Sequence, residues 1–482
     1  MERLDRAWAN PECRTLFPEA SVSHLTRTHL DHCPILLSLY HVLPCSLPRP
    51  FRFENIWFSN PDFPKIVEQA WANPNSILPS YIELFTSLVK SWNKHGFGNI
   101  FQKKSRILAR ITGTQHALAL HPSSSLISLY KTLKMEFQTI LRLEEEFWAL
   151  KSRVGWVVEG DTNTSFFHTS TIVRRKFNKI SRIRNSLGEW VEDRTQVMNL
   201  IQKGFLDLFS TSHVSSLCGF NPPSHALSIS SSEAICLVTP PSPDEIKASL
   251  WSLKPFKALG PDGLHSGFFQ RCWHIVGDSV IKEVSNIFSS GKVPEYLNKT
   301  LISLIPKCIE PETLGQFRPI SLCNTVYKIV TKTLEARIRP LLSHLISPYQ
   351  AAFVPGRHGI NNVIIAQELI HSMHKKKGKV GQIALKIDLE KAYDRLEWSF
   401  IREVLIFFKF PLSLVNLILE CISSSSISIL FNGGQLDYFR PFRGIRQGDP
   451  LSPYIFILCM EFLSLKIFEA SSNGNWKPIK AS

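Results

Sequence analysis

Lys386–Trp398 reads KIDLEKAYDRLEW, and the fold turns on how that stretch is read. Leading into it, Ile383, Leu385 and Ile387 alternate with Ala384, Lys386 and Asp388, the period-two pattern of a strand. From Glu390 the apolar spacing becomes helical, and Ala392, Leu396, Ile401, Leu405 and Phe408 can share one face. The pattern predicts a strand that ends at Asp388 and a helix that follows at once. A carboxylate at such a junction has two roles open to it. It can cap the helix, or it can hold a divalent cation against substrate phosphates.

Arg443–Pro453, RGIRQGDPLSP, is a turn punctuated by Gly and Pro and followed by the apolar run Tyr454–Met460. Alone it is an ordinary loop before a helix. Together the two stretches resemble motifs A and B of the reverse transcriptases of non-LTR (LINE-type) retrotransposons, plant ones in particular, and the resemblance covers most of the chain. It implies an RNA-directed DNA polymerase that takes an RNA template, a DNA primer and nucleoside triphosphates, with two Mg²⁺ ions about 4 Å apart. Asp388 then supplies the first catalytic, metal-binding carboxylate, and the backbone carbonyl of Leu389 joins it. Tyr393 takes the place of the aromatic gate beneath the sugar. Gln447 and Gly448 line the floor of the nucleotide pocket.

Two further segments complete that expectation. LISLIPK (301–307) reads as an apolar strand ending in a cation, and FRPISLCN (317–324) starts a second segment with Arg318. By the same resemblance Lys307 and Arg318 grip the triphosphate, where an Arg fork and a Lys point charge suit phosphate oxygens. A plain surface role is the alternative for both. Asp394, about one turn into the expected helix, is assigned to capping or surface pairing. The family's remaining carboxylates come from a Tyr/Phe-Ala-Asp-Asp hairpin, motif C, and no Asp-Asp pair occurs in this sequence. The expectation is a polymerase by descent that is inactive as this chain and truncated at both ends.

The first residues fit the same picture. SVSHLTRTHLDHCPILLSL places Asp31-His32 directly before the strand-like run Ile35–Leu39. This resembles the last motif of the endonuclease/exonuclease/phosphatase fold, in which the His acts at the scissile phosphate and the Asp belongs to the acidic site. Leu30 stands where that family usually has Ser. Asp31 and His32 are read as a catalytic remnant without nuclease activity.

From about Pro48 to Ser210 the sequence reads as helical and basic. Lys103, Lys104, Arg106 and Arg110 form one cluster, and Arg174, Arg175, Lys176, Lys179, Arg182 and Arg184 a second, interleaved with Phe166, Phe167 and Phe177. Such clusters are either solvated faces or phosphate and base contacts. Glu144–Glu146 read as an exposed helix face. Thr211–Ser232, Ser-rich and aperiodic, reads as a linker. Ser242-Pro243-Asp244-Glu245 predicts a helix start, and Pro261-Asp262-Gly263 a tight turn.

The expected organisation is therefore α+β: an endonuclease remnant over 1–45, a helical basic extension over 46–210, a linker over 211–232, and an incomplete fingers-palm reverse transcriptase over 233–482. Composition agrees with it. The 482 residues carry a formal charge of +15 with a pI near 9.3, which calls for an anionic partner such as a nucleic-acid backbone. The ten cysteines include no CxxC pair, so neither a zinc site nor a disulfide framework is indicated. No apolar segment is long enough to span a membrane, and MERLDRAWAN lacks the apolar core of a signal peptide, so an intracellular, nuclear and cytoplasmic location is expected. Two other function classes fit parts of this pattern: an intron maturase-like protein, and a non-enzymatic nucleic-acid-binding fragment.

Overall fold

The computed structural model describes residues 7–17, 20–24, 35–39, 47–152, 164–211, 228–375 and 382–475. Asp31 and His32 lie outside the described residues, as does most of the expected linker. The chain divides into two compact units, 1–181 and 182–482.

In the first unit a short antiparallel hairpin joins β1 (Ser21–His24) to β2 (Ile35–Ser38), with His24 opposite Ile35. The rest is helical, as the sequence predicts. Phe53, Trp57, Phe63 and Phe85 are buried and meet at ring distances of 5.0–6.3 Å. Aromatic burial of this density stabilises the small helical core beyond its area alone. Two long helices, Ile100–Leu120 and Ser124–Ser152, pack against each other. Their contact corrects one expectation. Glu144 is buried, and its carboxylate takes the Lys104 ammonium at 2.6 Å. Lys104 is thus spent inside the helix pair. Lys103, Arg106 and Arg110 remain as an exposed stripe at helical spacing.

The second unit begins at Arg182. A small antiparallel hairpin, β3 (Ile183–Arg184) and β4 (Trp190–Val191), opens it. Arg182 and Arg184 lie over the Trp190 ring at 4.3 and 4.8 Å and pair with Glu192 and Glu312. The helix Arg194–Phe209 follows, N-capped by Asp193. It belongs here because its last carbonyls are used: Arg443 donates to Leu208 O at 3.0 Å and Phe442 N to Phe209 O at 2.9 Å. The Ser-rich stretch also ends sooner than its composition implies. Ser230 and Glu233 form a capping box on the helix Ser231–Val238, so those serines start a helix rather than loosen a linker.

The central sheet has the order β6-β5-β7-β8, built from β5 (Lys299–Pro306), β6 (Phe317–Cys323), β7 (Ser426–Phe431) and β8 (Gly434–Gln435). β5 pairs antiparallel with β6 and parallel with β7. The parallel pairing requires a crossover, and the helices Thr325–Ile338 and Leu412–Ser423 lie within it. Thr325–Ile338 is buried on most sides, with Val326, Tyr327, Ile329, Val330 and Leu334 fully enclosed. The two predicted fingers strands and the helix starting at Pro243 are present.

The opening stretch departs from its prediction. Residues 382–389 form neither strand nor bridge, and Ile383, Leu385 and Ile387 are largely exposed. The alternation is right for a strand, but a strand exists only by pairing its backbone groups. Among the described residues no segment pairs with this one. The helix is also displaced. Glu390–Arg395 are turns, with Lys391 at φ +49, and the helix runs Trp398–Phe407. Of the predicted face, Ile401, Leu405 and Phe408 are buried.

Candidate functional site

Two consequences follow for the site. Asp388 does not sit at a rigid junction. It is exposed, as is Leu389 beside it, and among the described residues no cluster of three or more acidic, His or Cys side chains could hold a metal ion. As placed, these residues do not fit a metal pair, because among the described residues Asp388 belongs to no group of three or more ligating side chains.

The other sequence-assigned residues do come together. The segment Tyr393–Leu396 is tied to the Gly444–Ile445 turn by Ile445 N–H donating to Tyr393 O at 2.8 Å and Gly444 N–H to Leu396 O at 2.7 Å. Gly444 has φ +91, and a Cβ there would stand 2.6 Å from the Asp394 carbonyl oxygen. Only glycine permits that approach. The next turn is tied to the sheet, since Ser321 N–H on β6 donates to Gln447 O at 2.8 Å. Gly448, at φ +113, would place a Cβ 2.9 Å from Ser321 O. Motif A therefore leans on motif B, and motif B on the strand that carries Arg318.

Tyr393 stacks on Phe456 at 4.8 Å, the rings 20° from parallel, so its ring orientation is set by the Ser452–Ser472 helix. Lys307 and Arg318 are both exposed. Ile305 pairs with Arg318, and Lys307 N–H extends the ladder to Gln316 O at 2.8 Å. Lys307 and Arg318 thus project from one face of the β5–β6 hairpin as diagonal neighbours. The Lys307 ammonium donates to Gly315 O at 3.0 Å. Arg357, near the start of the helix Gly359–Lys375, donates to the carbonyls of Ser343, Ile346, Ser347 and Gln350, a structural role.

Asp394 is the main correction within the site. It is buried, not on the surface. Burial raises its carboxyl to about 6, against the opposing pull of Lys391, the Gln447 amide at 3.4 Å, Lys307 and Arg395. A crevice with room for about one water runs beside it. Because the folded-state value lies above the usual 3.8, the stability this group contributes is present below pH 4 and is lost as pH rises through about 6. Asp394→Asn, which keeps an acceptor but no charge, should gain on the parent chain by about 2 kcal/mol between pH 4.5 and 7.5. Urea unfolding of both proteins at the two pH values measures this. A constant difference would mean the carboxylate ionises there without penalty.

Arg446 and Asp449, which the sequence reading passed over, are both buried directly beneath the Gln447-Gly448 turn. The signal was available, since charged residues flank the two residues singled out in RQGD. Nothing in one dimension says which way they point.

The β6 strand, the Tyr393–Leu396 segment and the Gly444–Gly448 turn all lie within one stretch that matches a known family. Residues 305–472 match the family described as "Reverse transcriptase (RNA-dependent DNA polymerase)". The domain is of the non-LTR retrotransposon kind, as its relatives show. The chain is 27% identical over 317 residues to a Transposon TX1 uncharacterized 149 kDa protein of Xenopus laevis, covering 66% of this chain and 24% of the relative. It is 32% identical over 209 residues to the Retrovirus-related Pol polyprotein from type-1 retrotransposable element R2 of Nasonia vitripennis, covering 42% and 19%. It is 25% identical over 219 residues to the corresponding polyprotein from type-2 element R2DM of Drosophila melanogaster, covering 45% and 20%. The chain thus spans a quarter or less of the length of these relatives. No helix among the described residues is long and apolar enough to cross a membrane.

Proposed function

We propose that this chain carries the nucleotide-binding part of an RNA-directed DNA polymerase of LINE-type descent, and that as 482 residues it binds nucleic acid without polymerising. One observation supports the reading above the others. Continuous hydrogen bonding joins Ser321 on β6, Gln447, and the Tyr393–Leu396 segment, next to the face that presents Lys307 and Arg318. In this reading Lys307 and Arg318 take the triphosphate, Tyr393 lies under the sugar, and Gln447-Gly448 floor the base. Anisotropy of a labelled RNA template–DNA primer, with and without the matching dNTP, tests it. Lys307→Ala/Arg318→Ala should lower the dNTP effect at least tenfold, and a variant indistinguishable from the parent would sink the assignment.

The non-enzymatic reading has its own support in Asp388, which stands in exposed coil and belongs to no group of three or more metal-ligating side chains among the described residues. The two readings meet in this chain: a polymerase by descent, a nucleic-acid binder by action. The Mg²⁺ pair belongs to the family expectation, and Asp388 with the Leu389 carbonyl does not as placed make up its ligand set. Asp31 and His32 keep their proposed place as the remnant of an endonuclease motif.

Nucleic-acid binding should be strongly salt-dependent. The +15 charge and the exposed Lys103, Arg106 and Arg110 stripe motivate this. Each neutralised phosphate of a single strand adds about −0.7 to the slope of log affinity on log salt. Four contacts would weaken binding about 50-fold between 50 and 200 mM salt. Filter binding that gives equal affinities at the two concentrations would rule out a phosphate-led interface.

A further inference from the structure

Gln447 and Gly448 sit between two charged residues that both turn inward. Arg446 is buried and spends its guanidinium on four partners. Nη1 donates to Asn298 Oδ1 at 2.7 Å and to Thr300 Oγ1 on β5 at 2.9 Å. Nη2 donates to Cys421 O at 2.6 Å on the Leu412–Ser423 helix and to the Tyr327 hydroxyl on the Thr325–Ile338 helix. The Tyr327 hydroxyl in turn donates to Asp449 Oδ2 at 2.7 Å. Arg446 and Asp449 approach to 3.6 Å, and the Asp449 Oδ1 accepts from Leu451 N at 3.0 Å. Both ends of the Gln447-Gly448 peptide are therefore anchored in the core by one Arg–Tyr–Asp cluster.

We propose that Arg446, Tyr327 and Asp449 form a positioning clamp that fixes the height and orientation of the Gln447-Gly448 peptide over β6, and so the floor on which the nucleotide's base rests. The inference rests on the reverse-transcriptase reading for its ligand, but the clamp itself is geometric. A loop that needed only stability would be served as well by apolar side chains, since buried ion pairs rarely exceed well-packed hydrophobic replacements in stability. What the charged pair adds is a single register. Arg446 has a directional fork whose partners come from β5 and two helices, and Asp449 closes against the same hydroxyl. The peptide between them has little freedom, and Gly448 lies too close to Ser321 O for any side chain.

Two variants of the full chain test it. Tyr327→Phe removes the shared hydroxyl without changing the ring, and Arg446→Met/Asp449→Leu replaces the pair with apolar side chains of similar volume. Amide hydrogen exchange should show at least tenfold faster exchange in both variants at Ser321, whose N–H donates to Gln447 O. The amides of the helix Trp273–Ser290 should keep their protection. With labelled primer–template, both variants should lose at least fivefold in preference for the matching over a mismatched dNTP, measured without denaturant where both remain folded. Unchanged Ser321 exchange, or unchanged dNTP preference with slowed folding only, would overturn the clamp. A parent chain that retains no dNTP would instead sink the reverse-transcriptase reading and the clamp's proposed ligand with it, while Ser321 exchange still judges the geometry.

Discussion

Purified 482-residue protein should give no extension of a DNA primer on an RNA template, at any Mg²⁺ concentration. Nucleotidyl transfer by the two-metal route requires carboxylates that converge from separate segments. Mg²⁺ gives up its waters reluctantly and needs a near-octahedral oxygen cage to do so. Asp388 is exposed, and among the described residues no group of three or more acidic, His or Cys side chains could hold a metal ion. Asp394, one turn further, is buried and engaged with Gln447. Asp449 is committed to Tyr327 and Leu451. Glu461 is buried in the Ser452–Ser472 helix, where it accepts from Ser347 at 3.1 Å, and Glu469 pairs with Lys466 at 3.0 Å. Asp394, Asp449 and Glu461 could complete the set only by dismantling a buried contact, and Glu469 only by leaving Lys466. A version of the chain continued into a Tyr/Phe-Ala-Asp-Asp hairpin should extend primers, and Asp388→Ala should abolish that gain. Robust synthesis by residues 1–482 themselves would mean the active site has been misplaced.

Arg446→Met alone should destabilise the second unit by about 3–5 kcal/mol, the usual loss when one partner of a buried ion pair is removed. The physical reason is what remains behind. Asp449 keeps its charge in the core with only Tyr327 and Leu451 as donors. Asn298 Oδ1 and Thr300 Oγ1 each lose the donor that Arg446 supplies, and unsatisfied buried acceptors carry their own penalty. The double variant Arg446→Met/Asp449→Leu should recover at least half of the loss, since no lone charge is then buried. Urea unfolding followed by tryptophan fluorescence measures both. A single variant within 1 kcal/mol of the parent would mean that Arg446 is not the anchor described.

The recovery of the double variant is what separates stability from positioning. If stability returns while Ser321 exchange stays fast, the cluster's contribution is geometric. The Asp394→Asn titration probes a neighbouring carboxylate that bonds Gln447 rather than the Arg446–Tyr327–Asp449 cluster.

Sequence by itself determined the class of this domain. The apolar run 301–307 and the segment 317–324 became β5 and β6, and the caps at Ser242 and the Pro-Asp-Gly turn appeared where turn chemistry places them. Those features are local: a period, a cap, a fixed φ. The two-motif resemblance located Tyr393, Gln447 and Gly448, which the folded chain brings together. Tertiary structure alone decided three things. It decided that 382–389 has no ladder, because a strand depends on a partner elsewhere in the chain. It decided that Asp394, Glu144, Arg446 and Asp449 are inside, because burial of a charge depends on what packs over it, and a charged letter reads as surface until its partner is known. And it decided that the helix Arg194–Phe209 belongs with the second unit, because its carbonyls are taken by Arg443 and Phe442, more than two hundred positions away in sequence.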